Sequence, residues 1–299
     1  MFYDNLTNDI VVVGGETFPP GGGTSQTLND AWTLDAQGWH SGARPNSVPG
    51  LLVEDPATDD LMAVGATPAT GQGLQTWSWN SSAWTPLSSL PIAAGWMVRG
   101  IAPLGNQLVL VAENKQETVT QTWTWTGRAW RREHPAKELP LNAGLNSAGP
   151  FLSADPAHGR VVAVLQTGLG AGGETQVWAW AGTTWRLVVS TYLLGVDEFT
   201  ATLAPDPQNG SVLLYMNPVG SAPCTWELNG PSWHEIQSTS PAVDTAYGGA
   251  ALLIDARLGR VILIGGPGRP NPLNTLWVFN GSTWAAEPAS ILAGSSAPQ

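Results

Sequence analysis

The chain has 299 residues, of which 42% are hydrophobic and 12% are charged, and its net charge at neutral pH is −11. With only two lysines, Lys115 and Lys137, it has no basic stripe that could neutralise phosphates, which excludes nucleic acid as a partner and disfavours an anionic membrane surface. No apolar run is long enough to cross a bilayer, so we expect no membrane insertion. The 35 glycines and 24 prolines separate short apolar runs, a pattern typical of all-β proteins with many turns.

The single cysteine and the N-terminus give limited information about location. Cys224 alone excludes an internal disulfide and any site that needs two cysteines. The first residues lack the basic and apolar regions of a signal peptide. Because Met1 falls inside the first repeat, we expect the chain to be a domain of a longer bacterial protein that is secreted or displayed on the cell surface.

Six aromatic pairs recur along the chain with six residues between the two members of each pair. They use 12 of the 16 tryptophans, and successive pairs are 45, 46, 55, 48 and 51 residues apart. The pairs are Trp32/Trp39, Trp77/Trp84, Trp123/Trp130, Trp178/Trp185, Trp226/Trp233 and Trp277/Trp284. A period near 50 residues with a fixed internal spacing predicts repeated supersecondary units.

Each unit has the pattern of four short antiparallel strands. The predicted second strands are, in chain order, Ile10–Val13, Leu61–Val64, Leu108–Val111, Val161–Leu165, Val212–Tyr215 and Val261–Ile264. In five units an aspartate marks the turn before this strand, where it hydrogen-bonds its own chain. These aspartates are Asp4, Asp55, Asp155, Asp206 and Asp255. The third unit has a shorter hairpin at 103–106 instead.

The spacing of the tryptophans predicts which way they face. Opposed residues in a hairpin with a two-residue loop differ by an odd number, and residues i and i+2 of a strand share a face. Trp77, Trp79 and Trp84 would therefore lie on one side of one hairpin, and the next two units repeat this arrangement. We interpret these aromatic faces as packing between neighbouring units rather than as sugar-stacking surfaces.

Four-stranded sheets repeated in this way predict a six-bladed β-propeller that forms one domain. The predicted blades span approximately 1–46, 47–92, 93–143, 144–195, 196–243 and 244–289, with a tail at 290–299. The apolar runs followed by Gly14-Gly15 and Gly265-Gly266, together with the aromatic pairs, resemble the kelch repeat of galactose-oxidase-like propellers. The resemblance covers essentially the whole chain. It implies the propeller fold but several functions, including interaction modules, oxidases and sialic acid epimerases.

Closure of the ring needs a separate hypothesis, because the chain starts and ends near the same phase of the repeat. The first strand of blade 1 is short. We expect the C-terminal segment Ser290–Ala293 to run back along blade 1 and complete that strand.

Ligands of propellers usually bind where long loops surround the channel mouth. The longest predicted loops are 16–30, 131–150 and 186–197, all on one face. Residues that enter the inner strands from this face break the repeat and are our candidate ligand-binding residues. They are Arg44, Trp96, Arg99, Asn146, Asp197, Glu198, Asp244 and Tyr247, with Asn46 beside them.

Two chemical roles are open for this set. Arg44 and Arg99 could donate bidentate hydrogen bonds to a sugar or carboxylate ligand. Asp197 and Glu198 could form a general acid/base pair with Asp244. A group of exposed loop charges around a packed indole is the structural alternative.

Metal and cofactor sites have little support in the sequence. Glu54 and Asp55 with Asp59 and Asp60 could attract Ca²⁺, although a solvated turn explains the same residues. The copper chemistry of galactose oxidase requires a tyrosine cross-linked to cysteine, and Cys224 lacks the matching motif. We therefore expect no cofactor and no metal site.

The sequence favours a non-catalytic recognition or scaffold propeller, monomeric, that binds a glycan or protein ligand through the long-loop face. The first alternative is an enzyme that acts on a small acidic or sugar substrate in the channel mouth, similar to the sialic acid epimerase propellers. The second is a purely structural repeat domain.

Overall fold

The computed structural model describes residues 1–5, 7–17, 26–41, 50–66, 73–79, 83–114, 116, 119–140, 151–167, 174–193, 201–217, 222–236, 241, 251–264, 275–288 and 290–291. These residues contain 24 strands in six four-stranded antiparallel sheets, and each sheet keeps its strands in chain order. Their only regular helix is a 3-10 turn at Pro156–His158. None of the described helical structure is long and apolar enough to span a membrane.

Each sheet is one blade, which confirms the expected six-bladed all-β propeller. Blades 1 to 3 contain β1 (Phe2–Asp4), β2 (Asp9–Thr17), β3 (Gln26–Asp35), β4 (Gly38–Ser41), β5 (Leu51–Glu54), β6 (Leu61–Ala66), β7 (Leu74–Trp79), β8 (Trp84–Pro86), β9 (Met97–Leu104), β10 (Gln107–Asn114), β11 (Val119–Trp125) and β12 (Trp130–Arg132). Blades 4 to 6 contain β13 (Phe151–Asp155), β14 (Arg160–Thr167), β15 (Glu174–Trp180), β16 (Trp185–Thr191), β17 (Ala201–Pro205), β18 (Val212–Met216), β19 (Cys224–Asn229), β20 (Ser232–Glu235), β21 (Ala251–Asp255), β22 (Arg260–Ile264), β23 (Thr275–Phe279) and β24 (Trp284–Pro288).

Several strands extend into segments that were predicted to be loops. β2 and β3 occupy both ends of the predicted loop 16–30, and β16 occupies the first half of 186–197. β2 continues through Gly14-Gly15 because its register with β3 shifts between Val13 and Gly15. Such a bulge lets a strand pass a residue that was expected to end it.

In blades 2 to 6 the second strand is almost entirely buried, because neighbouring blades cover both of its faces. In β10, every side chain from Leu108 to Ala112 is at most 1% exposed. Leu108 and Leu110 pack toward blade 2, whereas Val109 and Val111 pack toward blade 4. This two-sided burial explains why the strands are continuous apolar runs rather than alternating ones.

Six hydrophobic clusters fill the six interfaces between neighbouring blades. In each interface, the third and fourth strands of one blade present aromatic or leucine side chains to the preceding blade. Between blades 2 and 3, for example, Trp123, Trp125 and Trp130 share a cluster with Met62 and Val64. The predicted packing role of the repeated tryptophans is confirmed at this interface and at the next, which contains Trp178, Trp180 and Trp185.

The interface between blades 6 and 1 closes the ring. Tyr3 and Leu34 of blade 1 share a cluster with Leu253 of blade 6. The Ala256 amide donates a hydrogen bond to Oδ1 of Asn5 at 3.0 Å, and a second bond joins Arg257 to Asn8. Within the described residues every sheet contains strands of one blade only, so closure depends on this packing rather than on a shared strand.

The C-terminal segment does not complete the first strand in the part that is described. Ser290 and Ile291 form a short turn, and Ile291 packs against the cluster that contains Tyr3. The Ile291 carbonyl accepts a hydrogen bond from Nη2 of Arg260 at 3.3 Å. Residues 292–299 lie outside the described part. The position of Ile291 matches a feature of blades 2 to 4. In each of these blades an apolar residue that follows the fourth strand packs in the interface with the next blade, and these residues are Leu90, Leu139 and Leu193.

Buried indole N–H groups are hydrogen-bonded across the interfaces by threonines. The bonds run from Nε1 to Oγ1 in Trp130–Thr76 (2.7 Å), Trp185–Thr122 (2.8 Å) and Trp284–Thr225 (2.9 Å). Each threonine directly precedes the first tryptophan of the pair in its own blade. Where Ala31 takes this position, the facing Trp84 Nε1 is buried and has no partner among the described residues. An unsatisfied buried N–H costs about 1–3 kcal/mol, so the threonines contribute to blade association.

The aspartate before the second strand shapes its turn, as predicted. In blade 2, Oδ1 of Asp55 accepts a hydrogen bond from the Ala57 amide at 3.0 Å. Four residues after each aspartate the backbone is left-handed, with glycine in blades 4 to 6 and with Asn8 (φ 65°) and Asp59 (φ 60°) in blades 1 and 2. The second carboxylate oxygen, Oδ2, accepts a further bond from Trp125 at Asp55 (2.8 Å), from Arg160 at Asp155 (2.6 Å) and from Arg260 at Asp255 (2.8 Å).

Asp206 in blade 5 lacks such a donor within the described residues. Its Oδ2 and the Ser211 hydroxyl are both buried without a hydrogen-bond partner there. Blade 6 has Phe279 where blade 3 has Trp125, and Ser211 stands where blades 4 and 6 have an arginine. Burial raises the pKa of Asp206.

Ser211→Arg is expected to stabilise the protein by about 1–2 kcal/mol at neutral pH, because a guanidinium at this position bonds the aspartate in blades 4 and 6. A raised folded-state pKa means that ionised Asp206 destabilises the wild-type fold as the pH rises through that pKa. The gain should therefore increase from about pH 3 to about pH 7. Urea denaturation at several pH values measures it, and Ser211→Met, which adds length without a donor, should show no gain.

Candidate functional site

Two of the candidate ligand-binding residues fall in the described part of the chain. Trp96 directly precedes β9, and Arg99 lies near the start of that strand, at its long-loop end. The other positions lie outside the described residues, namely Arg44, Asn46, Asn146, Asp197, Glu198, Asp244 and Tyr247. Their place in a binding site stays a prediction.

Trp96 is buried rather than displayed. Only 8% of its surface is exposed, and it belongs to the cluster between blades 2 and 3 that also contains Leu90 and Leu110. Its indole therefore supports blade packing, and little of its area is left for a ligand. Of the two roles considered for Trp96, its burial matches the packed indole rather than the ligand-binding surface.

Arg99 forms a buried ion pair. Its Nε lies 2.8 Å from Oε2 of Glu113, and the two side chains are only 11% and 4% exposed. The register of β9 and β10 shifts between Val111 and Ala112, which places Arg99 in a β-bulge. The pair holds the guanidinium at the long-loop end of blade 3 and compensates its charge.

The central channel is mainly apolar where the six inner strands approach their aspartate turns. A cavity of about 220 Å³ is lined there by all six blades. Its side chains include Phe2, Leu52, Ile101, Leu152, Leu203 and Leu252. The polar side chains of Asn5, Glu54 and Ser153 also line the cavity, and Asn5 donates a hydrogen bond to Glu54 at 3.0 Å, so the lining is mainly rather than entirely apolar.

The first part of the predicted long loop 131–150 is well organised. Arg132 Nη2 donates to Oε1 of Glu138 at 2.6 Å, and Oε2 of Glu138 accepts from the Thr122 hydroxyl at 3.0 Å. The Lys137 ammonium lies 4.5 Å from the centre of the Trp178 ring, a cation–π contact. Arg132 and Glu138 therefore order this segment within blade 3, whereas Lys137 contacts blade 4.

One tryptophan of the repeat is exposed, although its spacing predicts that it is packed between blades. Trp32 is 42% exposed, whereas its equivalents Trp123 and Trp178 are each 4% exposed. Its Nε1 donates to Oδ2 of Asp30 at 2.8 Å. In blades 3 and 4, the equivalent tryptophans Trp123 and Trp178 donate instead to a glutamine two residues earlier in the sequence. The aspartate at this position in blade 1 is the sequence feature that distinguishes Trp32 from them. The expectation of full interblade packing does not hold for Trp32.

The acidic residues that could attract Ca²⁺ according to the sequence lie on the face that carries the tight aspartate turns. Asn5 donates a hydrogen bond to Oε2 of Glu54 at 3.0 Å, and Asp55 is committed to its turn and to Trp125. Among the residues the structure describes, no group of three or more histidine, cysteine or acidic side chains converges as a metal site. Burial raises the pKa of the Cys224 thiol, which favours its protonated form.

Comparison with known proteins gives similarity at the level of fold. No protein-family model matches the chain, and no curated protein sequence matches it. AofleA from Arthrobotrys oligospora superposes with a TM-score of 0.56 at 15% identity, over 93% of this chain and 87% of that one. The SapL1 lectin, solved with α-methyl fucoside, gives a TM-score of 0.56 at 12% identity over 92% and 95%. The Aleuria aurantia lectin, solved with Fucα1-6GlcNAc, gives 0.54 at 13% identity over 78% and 75%. At these identities the similarity shows that the chain shares their propeller fold.

Proposed function

We propose that this protein is a non-catalytic recognition propeller that binds a glycan. The observation that carries the proposal is the superposition, over 92% of the chain, on a lectin solved with α-methyl fucoside.

Trp32 and Asp30 are the described residues best suited to a sugar. A half-exposed indole offers an apolar face to the C–H side of a sugar ring, and a neighbouring carboxylate can accept hydroxyl hydrogen bonds. The bond between Asp30 and Trp32 Nε1 holds the ring in one orientation, which lowers the entropy lost on binding. The long-loop face, with the candidate residues outside the described part, remains the predicted location of further contacts.

The kelch-type relationship belongs to the same proposal. It is supported by the double glycine at Gly14-Gly15, which the β2 bulge accommodates, and by the aromatic hairpins between blades. The enzyme alternative has less support, because Arg99, the one described member of the residues that motivated it, is paired with Glu113.

Binding of α-methyl fucoside, followed by a glycan array, tests the proposal. We expect saturable binding of at least one glycan, and we expect Trp32→Ala to weaken it about tenfold or more while the protein stays folded, because the side chain is only half-buried. Leu258→Ala is the matched control, because Leu258 is similarly exposed (46%) in a tight turn of blade 6. An array without any bound glycan, or full binding by the Trp32 variant, would refute the assignment.

A further inference from the structure

Two polar side-chain atoms are buried close together in blade 5 without a hydrogen-bond partner among the described residues. They are Oδ2 of Asp206, directly after β17, and the hydroxyl oxygen of Ser211, directly before β18. Asp206 is 2% exposed and Ser211 is 5% exposed. A carboxylate oxygen that is buried without a donor is costly, so this pair points to a group that contacts it.

The backbone places the two side chains on one face of the blade. The Asp206 amide donates to the Ser211 carbonyl at 2.8 Å, so the two residues are opposed across the turn between β17 and β18. Opposed residues have Cβ atoms about 4.5–5.5 Å apart on the same face of the sheet. Ala204 and Leu213, two positions further along each strand, pack against blade 6. Asp206 and Ser211 therefore face blade 6 as well.

The equivalent pairs in blades 4 and 6 contain a positive charge at this place. Asp155 is opposed to Arg160, and Asp255 is opposed to Arg260. The arginine Nε donates to Oδ2 of the aspartate at 2.6 Å in blade 4 and at 2.8 Å in blade 6. In both blades the chain itself thus supplies the cation that compensates a buried carboxylate.

Blade 5 keeps the buried carboxylate but has neither of the donors found in other blades. Ser211 replaces the arginine of blades 4 and 6. The donor to Asp55 of blade 2 is the indole of Trp125, and the residue at that position in blade 6, which faces blade 5, is Phe279. Because Oδ2 of Asp206 and the Ser211 hydroxyl do not bond each other, one ligand between them can contact both.

The charges close to this pair are negative. The hydrogen bonds to the Asp206 and Glu227 carboxylates come from neutral groups within the described residues, namely the Gln208 amide at 2.9 Å and the Asn209 side chain at 2.8 Å. Burial raises the pKa of Asp206, and the charge of Glu227 raises it further, although the bond from Gln208 opposes them. A cation beside Asp206 would therefore be attracted by two carboxylates.

The residue across the interface limits the size of that cation. Leu228 and Leu34 pack in the interfaces that contain Arg160 and Arg260, respectively, whereas Phe279 packs in the interface that contains Asp206. The phenyl ring is larger than leucine and takes part of the space that a guanidinium uses in the other two interfaces. A single inorganic ion needs less room than a guanidinium.

The last turn of blade 6 brings further oxygen atoms to the same place. Gly281 stands at the position of Gly230 in blade 5, whose carbonyl accepts a hydrogen bond from Nη2 of Arg160 at 3.3 Å. A Cβ atom at Gly281 would lie 2.8 Å from Oε1 of Gln208, so the blade 5 turn packs closely against the blade 6 turn. Oxygen atoms are the ligands that hard cations prefer, and Ca²⁺ takes about six to eight of them. One carboxylate among neutral oxygens matches the charge of a monovalent ion better.

We propose that the interface between blades 5 and 6 binds a monovalent inorganic cation, with Oδ2 of Asp206 and the Ser211 hydroxyl as ligands. The ion has the electrostatic role that Arg160 and Arg260 have in their blades. It links the two blades because Gly281 offers its carbonyl from blade 6. The site is separate from Trp32, so glycan binding and cation binding can be tested independently.

Thermal unfolding in KCl, NaCl and choline chloride at equal ionic strength tests the site, because choline is too large to reach a buried carboxylate. We expect the melting temperature in about 200 mM KCl or NaCl to exceed that in choline chloride by about 2–4 °C, with saturation as the salt concentration rises. The salt with the larger shift identifies the preferred ion. Equal melting temperatures in all three salts would overturn the proposal.

Three variants assign the shift to Asp206. Asp206→Asn should abolish the difference between KCl and choline chloride. Ser211→Arg should also abolish it and should raise the melting temperature in choline chloride, because the chain then supplies the cation as in blade 4. Asp60→Asn, which removes an exposed carboxylate at the matching position of blade 2, should keep the full difference. A difference that persists in Ser211→Arg or disappears in Asp60→Asn would contradict the assignment.

Crystals soaked in RbCl locate the ion directly, because rubidium replaces potassium and scatters anomalously. We expect an anomalous peak in contact with Oδ2 of Asp206 and the Ser211 hydroxyl. Density for a water molecule at this place without an anomalous signal would overturn the proposal, since water would then satisfy both oxygens.

Discussion

Replacement of Trp125 with alanine should lower the free energy of unfolding by about 3–5 kcal/mol. The side chain is 2% exposed, lies between blades 2 and 3, and tilts against Trp130 with ring centres 5.4 Å apart. Its removal leaves a cavity that the stiff strands on either side cannot fill. It also removes the donor to Oδ2 of Asp55, a carboxylate that is 3% exposed. Urea denaturation followed by far-ultraviolet circular dichroism measures the loss.

The contribution of the Trp125–Asp55 hydrogen bond to this loss of stability can be measured separately by replacing Trp125 with phenylalanine. Trp125→Phe keeps most of the packing, since Phe279 occupies the equivalent position in blade 6, and should cost about 1–3 kcal/mol through the loss of the bond to Asp55. Trp180→Phe is the matched control. The Trp180 Nε1 is buried without a partner among the described residues, because blade 3 has Leu104 where blade 2 has Asp55. Equal losses in the two variants would show that the indole–aspartate bond contributes nothing to stability.

Most of the fold could be predicted from the sequence because one pattern is repeated six times. A single copy of the pattern leaves strand and loop ambiguous, but the constant spacing of pairs such as Trp123/Trp130 requires the same hairpin in every unit. Strand parity then correctly placed Trp125 and Trp130 on one side of the hairpin, packed against a neighbouring blade, and the structure shows that this neighbour is the preceding blade. The ends of strands were less predictable, because a bulge carries β2 past Gly14-Gly15 to Thr17.

The candidate site was less predictable, because burial in a propeller depends on the neighbouring blade. Trp32 has the same spacing as Trp123, yet it is ten times more exposed (42% against 4%). Trp96 lies outside the repeated pattern and was therefore predicted to contact a ligand, but its side chain packs in the interface between blades 2 and 3. Nothing in the spacing within one blade distinguishes these outcomes.

Removal of the carboxylate from the Arg99–Glu113 pair should be the second most damaging change. Glu113→Ala leaves the guanidinium, only 11% exposed, without the partner that lies 2.8 Å away, and we expect a loss of about 3–5 kcal/mol. The double variant Arg99→Met/Glu113→Leu removes both charges and keeps similar volume, so it should recover most of this loss. A double-mutant cycle in urea, with Arg99→Met and Glu113→Leu as the single variants, measures the coupling.

The same double variant separates a structural role of Arg99 from a role in ligand binding. If the pair only anchors the bulge of β9, the folded double variant should bind glycan as the wild-type protein does. If Arg99 also contacts ligand, as the sequence predicted, affinity should fall about tenfold or more while stability is retained. Because the guanidinium is mostly buried and already compensated by Glu113, we expect the first result. A loss of affinity in the folded double variant would contradict it and would place the glycan at the long-loop end of blade 3.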